Sequence, residues 1–210
     1  MTSVVAIIKA ASMVDNIHVT VSFRSTQESG SKMLPYVVLA YDSKCDKFSK
    51  VRNLFPYLTP TGCTPEGLAF SAIMDLFDKI TPDEEDRYFL NLSDGEPCYH
   101  ISIPNSGLNL SYIGDVGVTH TKAQVDKIRR HGVEILSYFI EEDISFFGRK
   151  NPIRMTPAED KKRRAELDNS PLLRNFRKMY GPSAKFICVN DIIGLSKTLN
   201  ELFCQSKKKS

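Results

Sequence analysis

Two stretches of this chain offer oxygen atoms in settings suited to holding a hard cation. Gly62-Cys63-Thr64-Pro65 precedes a run with helical character, and Leu92-Ser93-Asp94-Gly95 ends a short apolar run with strand character. Mg²⁺ takes about six oxygens, a few from protein and the rest from water. A Thr64 hydroxyl and an Asp94 carboxylate, brought from separate loops to one edge of a sheet, suit that demand. Each residue also has a plain structural role open to it. Thr64 can cap a helix, with Pro65 at the first helical position, and Asp94-Gly95 is a common turn dipeptide.

Other reactive side chains are less organised. His18, His100, His120 and His131 do not fall at a metal-binding spacing, and surface or capping roles suit them. Ser22 and Ser93 lack the surroundings of a catalytic serine. The glycines form neither a dinucleotide-binding nor a P-loop pattern. The five cysteines, Cys45, Cys63, Cys98, Cys188 and Cys204, are odd in number, without a C-x-x-C pair. They are expected to be reduced and mostly buried rather than to form disulfides or a zinc site.

The elements that must position Thr64 and Asp94 follow from periodicity. Val4 to Val14 spaces its apolar residues as an amphipathic helix does. Ile17 to Phe23 alternates as a strand with Ile17, Val19, Val21 and Phe23 on its packed face, the polar residues 25–32 read as a loop, and Tyr36 to Tyr41 is a second strand that pairs antiparallel with the first. A helix runs from Leu68 to Phe77, and Thr81 to Glu84 has the look of a capping box. Tyr88 to Leu92 is a buried parallel strand whose C-terminal end opens into the Asp94 loop, where α/β folds place ligands.

Residues 98–118 are rich in Gly, Ser and Asn and read as a long loop or a small hairpin. Thr121-Lys122-Ala123-Gln124 then opens a helix that Gly132 closes, followed by a strand from Val133 to Ile140. The charged stretch 141–170, with a short helix capped at Thr156, is a solvated excursion. A helix from Leu172 to Tyr180 closed by Gly181, a strand from Ala184 to Val189 and a helix from Ile192 to Phe203 complete residues 1–205, and the basic tail 206–210 is disordered. Alternating strands and helices specify an α/β fold: a Rossmann-like, mostly parallel sheet with helices on both faces and one antiparallel edge strand.

The 210 residues are 41% hydrophobic, enough for one domain with an ordinary core. No stretch approaches the ~20 apolar residues of a bilayer span, and no secretory signal follows Met1. A cytoplasmic chain without a membrane role is expected. The formal net charge of +3 is outweighed by Lys161 to Arg164 and Lys207 to Lys209, so the remaining surface is near neutral. Nucleic acid is therefore not an expected partner.

The motif residues resemble the von Willebrand factor type A (VWA) family. Gly62-Cys63-Thr64-Pro65-Glu66-Gly67-Leu68-Ala69-Phe70 resembles that family's G-x-T-x-x-G-x-A-[LF] stretch, and Arg87 to Pro97 resembles its strand ending in [ST]-D-G-x-P. Thr121 to Ile140 and Ala184 to Phe203 resemble later units, while insertions at 98–118 and 141–170 are unmatched. The likeness is nearest to cobalt-chelatase subunits, whose relatives commonly work beside AAA+ ATPases and occur in bacteria and their phages.

The resemblance implies a metal-ion-dependent adhesion site in which Thr64 and Asp94 bind Mg²⁺ or Mn²⁺ and a partner protein completes the shell. It implies an interaction module rather than an enzyme, with a chelatase-like component of an AAA+ complex as the alternative. The family's first loop, D-x-S-x-S, is absent from these residues, so cation affinity is expected to be weak or lost. The family places the missing strand in the middle of its sheet, and an unfilled gap would leave buried amides unpaired at ~1–3 kcal/mol each. The chain could start downstream of that strand, receive it from another polypeptide, or close over the gap. The first is expected, Met1 standing where an internal methionine could serve as a start.

Overall fold

The computed structural model describes residues 2–11, 17–29, 32–58, 62–79, 86–102, 109–141, 165 and 169–188. The expected capping box at Thr81, most of the charged stretch 141–170, the closing helix Ile192 to Phe203 and the tail 206–210 lie outside the described residues. Helices are α1 (Thr2–Ala11), α2 (Ser49–Leu54), α3 (Glu66–Ala72), α4 (Met74–Lys79), α5 (Gly114–Arg130) and α6 (Pro171–Tyr180). Strands are β1 (Thr20–Ser29), β2 (Lys32–Asp42), β3 (Tyr88–Ser93), β4 (Tyr99–Ser102), β5 (Asn109–Tyr112), β6 (Glu134–Glu141) and β7 (Ala184–Cys188).

The fold is mixed α/β. β3, β6 and β7 form a parallel sheet in the order β3-β6-β7, with Leu90 beside Leu136 and Phe139 beside Phe186. β6 is the central strand, and its alternating side chains face two cores. Ile135 and Phe139 pack with Phe70 of α3, Val125 and Ile128 of α5, and Leu173, Phe176 and Tyr180 of α6. Leu136 and Tyr138 point the other way, against Leu90, Leu92 and Ile7 of α1. Thus α3, α5 and α6 pack on one face of this sheet, and Ile7 of α1 reaches the other.

The antiparallel pair departs from expectation. β1 and β2 form a separate two-stranded sheet instead of supplying an edge strand to the parallel one. Its strands take in residues 25–29 and Lys32, which read from sequence as loop, and pair as far as Ser29 with Lys32. One part of this ribbon packs Val21, Phe23, Ala40 and Tyr41 against α1, Val51 of α2 and Phe55. The rest of it meets the parallel sheet through side chains. A small cavity of about 20 Å³ lined by Ser22, Arg24, Val37, Phe70 and Phe89 lies at that junction.

The helices show how local sequence is overruled or obeyed. α6 begins as its sequence dictates: Ser170 Oγ accepts from the Leu173 amide, Pro171 occupies the first turn, and Leu173, Phe176 and Tyr180 fall on one buried stripe. Burying two such aromatic side chains stabilises the fold by ~2–3 kcal/mol each. α5 begins seven residues earlier than the Thr121 motif suggests. Gly117, Val118, Thr121, Gln124, Val125 and Ile128 are its buried positions, at helical spacing, so Thr121 is interior and not a cap. The helix expected from Leu68 to Phe77 is broken at Ile73 into α3 and α4. Among the described residues, no helix is long and apolar enough to cross a membrane.

Candidate functional site

The Thr64 and Asp94 loops are neighbours. The Cys98 amide donates to the Thr64 carbonyl at 2.9 Å, and the Cys98 and Cys63 sulfurs lie 3.5 Å apart. Both loops therefore meet beyond the C-terminal end of β3, the position where parallel sheets present ligands. The backbone holds this juncture firmly: the Glu66 amide also bonds the Thr64 carbonyl, and the Cys63 amide bonds Thr26 Oγ1 of β1 at 2.8 Å.

Thr64 does not cap α3. Pro65 occupies the cap position and makes no side-chain capping bond, which places Thr64 one residue outside the helix. Asp94 does form the turn its sequence suggests: its Oδ1 accepts from the Glu96 amide at 3.2 Å, and Ser93 Oγ accepts from the Gly95 amide at 3.0 Å. Gly95 has φ +81°, and a Cβ there would meet the Phe139 ring at 2.7 Å. Both the left-handed backbone and the ring beneath it require glycine.

Beneath the loops lies a polar network that sequence reasoning missed. Arg24, projecting from β1, donates to Glu66 Oε1 at 2.6 Å and to Asn91 Oδ1 at 2.9 Å. Asn91 Nδ2 donates to Glu66 Oε1 at 3.1 Å and to the Tyr180 hydroxyl at 2.9 Å. Glu66 is 0% exposed, and its second oxygen, Oε2, is buried with no hydrogen-bond partner. Arg24 also lies over the Phe70 ring, 5.6 Å from its centroid. The available signal was Asn91 inside the apolar run Tyr88 to Leu92; Arg24 lies just beyond the strand read as ending at Phe23. Glu66, by contrast, reads from sequence as an ordinary first-turn acid facing water.

The Asp94 side chain reaches solvent, yet the protein packed around it raises its carboxyl above the usual range. The Glu96 amide opposes that rise, the Glu66 carboxylate adds to it, and Arg24 moderates it. Burial pushes the Cys98 thiol up to about 11, helped by its hydrogen bond to Cys63 and by the nearby Glu96 and Asp94 charges. Burial also holds the Tyr180 hydroxyl well above its ordinary value, with the Glu66 charge as the next cause.

α3 carries Glu66 and is fixed by an unusually close helix contact. A Cβ on Gly67 would come within 2.4 Å of the Tyr112 hydroxyl and 2.8 Å of the Thr121 Cα. The glycine lets α3 lie directly on α5, where the Tyr112 hydroxyl also meets His120 Nδ1 at 2.9 Å. His120 is thus inside α5 and not beside a cap, while His18 pairs with Asp42 at 2.8 Å on the surface.

Among the described residues, no group of three or more His, Cys, Asp or Glu side chains is arranged to hold a metal ion. The cysteines differ from expectation: Cys45 is exposed, and Cys63 and Cys98 are half-buried and in mutual contact. Comparison with family models, with curated proteins and with solved structures finds no match to this chain.

Proposed function

We propose that this chain is a protein-interaction module whose contact edge carries a divalent-cation site, with Mg²⁺ the preferred ion and Mn²⁺ a substitute. Thr64 would supply a hydroxyl and Asp94 a carboxylate, directly or through water, and a carboxylate of the partner protein would complete the shell. The observation that carries this reading is the position of Asp94, an aspartate held high in pKa by its surroundings beside the buried Glu66, whose second oxygen has no hydrogen-bond partner. Charge left incompletely balanced at the ligand-bearing end of a parallel strand favours a cation.

The donor set suits Mg²⁺ better than a softer metal. Mg²⁺ keeps several waters and is held by one or two carboxylates, so two protein oxygens and a partner's carboxylate are sufficient for a weak site. A third acid or histidine is not needed. The resemblance to VWA modules points to an AAA+ ATPase as the class of partner, and to cation-dependent association as the activity.

Calorimetric titration of Mg²⁺ and Mn²⁺ into the full chain, with Asp94→Ala and Thr64→Val beside it, tests the proposal. Wild type should bind with a dissociation constant in the range typical of weak sites, about 10⁻⁴ to 10⁻³ M. Asp94→Ala should weaken binding at least tenfold and Thr64→Val less. Because the bound form needs ionised Asp94, affinity should fall as pH is lowered through its raised pKa. Equal affinity in wild type and Asp94→Ala would exclude the site.

A further inference from the structure

We infer that Cys63 and Cys98 form a redox-active dithiol, closing to a disulfide on reaction with a low-molecular-weight disulfide such as oxidised glutathione. The inference rests on the juxtaposition of the two sulfurs and holds whether or not the loops take a cation. At 3.5 Å the thiols are in van der Waals contact, one donating weakly to the other. A disulfide needs a sulfur separation of about 2.05 Å, so the sulfurs must approach by about 1.5 Å. Rotation of the two side chains supplies an adjustment of that size, and the backbone already runs side by side: the Cys98 amide is bonded to the carbonyl of Thr64, the residue after Cys63.

Both thiols are half-buried, which admits a small oxidant while keeping larger ones away. Cys45, by contrast, is exposed and shows no thiol neighbour among the described residues. Placement also distinguishes the pair. Cys63 is anchored to β1 through Thr26, and Cys98 follows the β3 turn that contains Asp94 and Gly95. Closing the bond therefore ties the segment before α3 to the segment after β3, across the mouth formed by the two loops. In the open dithiol the bond from the Cys98 amide to the Thr64 carbonyl and the thiol contact join those segments.

The reaction balances as two thiol–disulfide exchanges. One cysteine, as its thiolate, attacks a glutathione sulfur, forming a mixed disulfide and releasing one glutathione thiol. The second cysteine, after losing its proton to solvent, attacks the first cysteine's sulfur and releases the second glutathione. Two protein thiols and one glutathione disulfide become one protein disulfide and two glutathione thiols.

The full chain, equilibrated in buffers of varied glutathione ratio and then alkylated, digested without reduction and mass-mapped, provides the test. A Cys63–Cys98 linked peptide, two hydrogens lighter than its separate parts, should accumulate without dimer formation. Oxidised protein should melt roughly 5–10 °C above reduced protein, as expected for a closed loop of this length in a chain of this size. Cys63→Ser and Cys98→Ser should each abolish the linkage and leave the remaining thiol as a mixed disulfide with glutathione. Linkage through Cys45, linkage between chains, or separate glutathione adducts on Cys63 and Cys98 in the wild type would overturn the inference.

Discussion

Asp42 and Asp94 each follow or close a strand, and their carboxyls are driven in opposite directions. At Asp42, the cost of partial burial is outweighed by the Lys44 amide and the His18 imidazole, which hold the carboxyl below its usual range. At Asp94, the same cost is opposed by the Glu96 amide and by Arg24 but not overcome, and Glu66 nearby adds to it. The first aspartate is stabilised as a carboxylate by its own surroundings; the second is not. Placement explains the difference. The Asp42 end of the β1–β2 ribbon carries surface pairs such as Lys50–Asp46, whereas Asp94 lies near a buried acid whose cation partner Arg24 is shared with Asn91.

The strongest way to break this comparison is at Glu66. Glu66→Ala leaves Arg24, only 18% exposed, without its carboxylate. The expected loss is about 3–5 kcal/mol, read as a shift of the urea midpoint at constant slope. Asp46→Ala, at the solvent-screened pair with Lys50, should shift the midpoint far less. Comparable losses at both places would mean that the two regions do not differ in kind.

A smaller effect separates the aspartates themselves. A carboxyl with a raised folded pKa favours folding at low pH, and that contribution is lost as pH rises through the folded value. Asp94→Asn should therefore raise the melting temperature at pH 7 by a degree or two while leaving it unchanged near pH 3. A lower melting temperature at pH 7 would show that Asp94 is held by favourable contacts, as Asp42 is.

Smallest is the acid response of Asp42. Its depressed pKa contributes stability above the usual carboxylate range, lost as pH falls through the folded value. Asp42→Asn should flatten the stability profile below pH 4 and cost at most about 1 kcal/mol at pH 7, since the pair with His18 is largely exposed to water. Thermal melts of wild type and variant across pH 3–7 measure both effects.

The elements that were legible in the sequence are those built on apolar runs or stripes. β3, β6, β7 and α6 follow the spacing of their apolar residues, and Gly132 and Gly181 end α5 and α6 with the positive φ such positions favour. The length of β1 was not legible, because its continuation past Phe23 is polar in type even where it is buried, as at Ser25 and Thr26. Nor was the start of α5, whose Gly114-Asp115-Val116-Gly117 opening has poor helix propensity and is held by the burial of Gly117 and Val118. Of the candidate residues read from sequence, Thr64 and Asp94 lie on loops that the structure brings together. Glu66 and Arg24 were not visible, since two charges distant in sequence do not announce that they will be buried as a pair.

The ring of Phe139 under Gly95 gives the Asp94 loop a floor made by the middle strand of the parallel sheet. A slip of β6 by one residue would exchange Phe139 for a neighbour that belongs to the opposite core. The loop would then lose its support and, with it, the placement of its carboxylate. An error of register in the middle strand would thus surface at the Asp94 loop as well as inside the core.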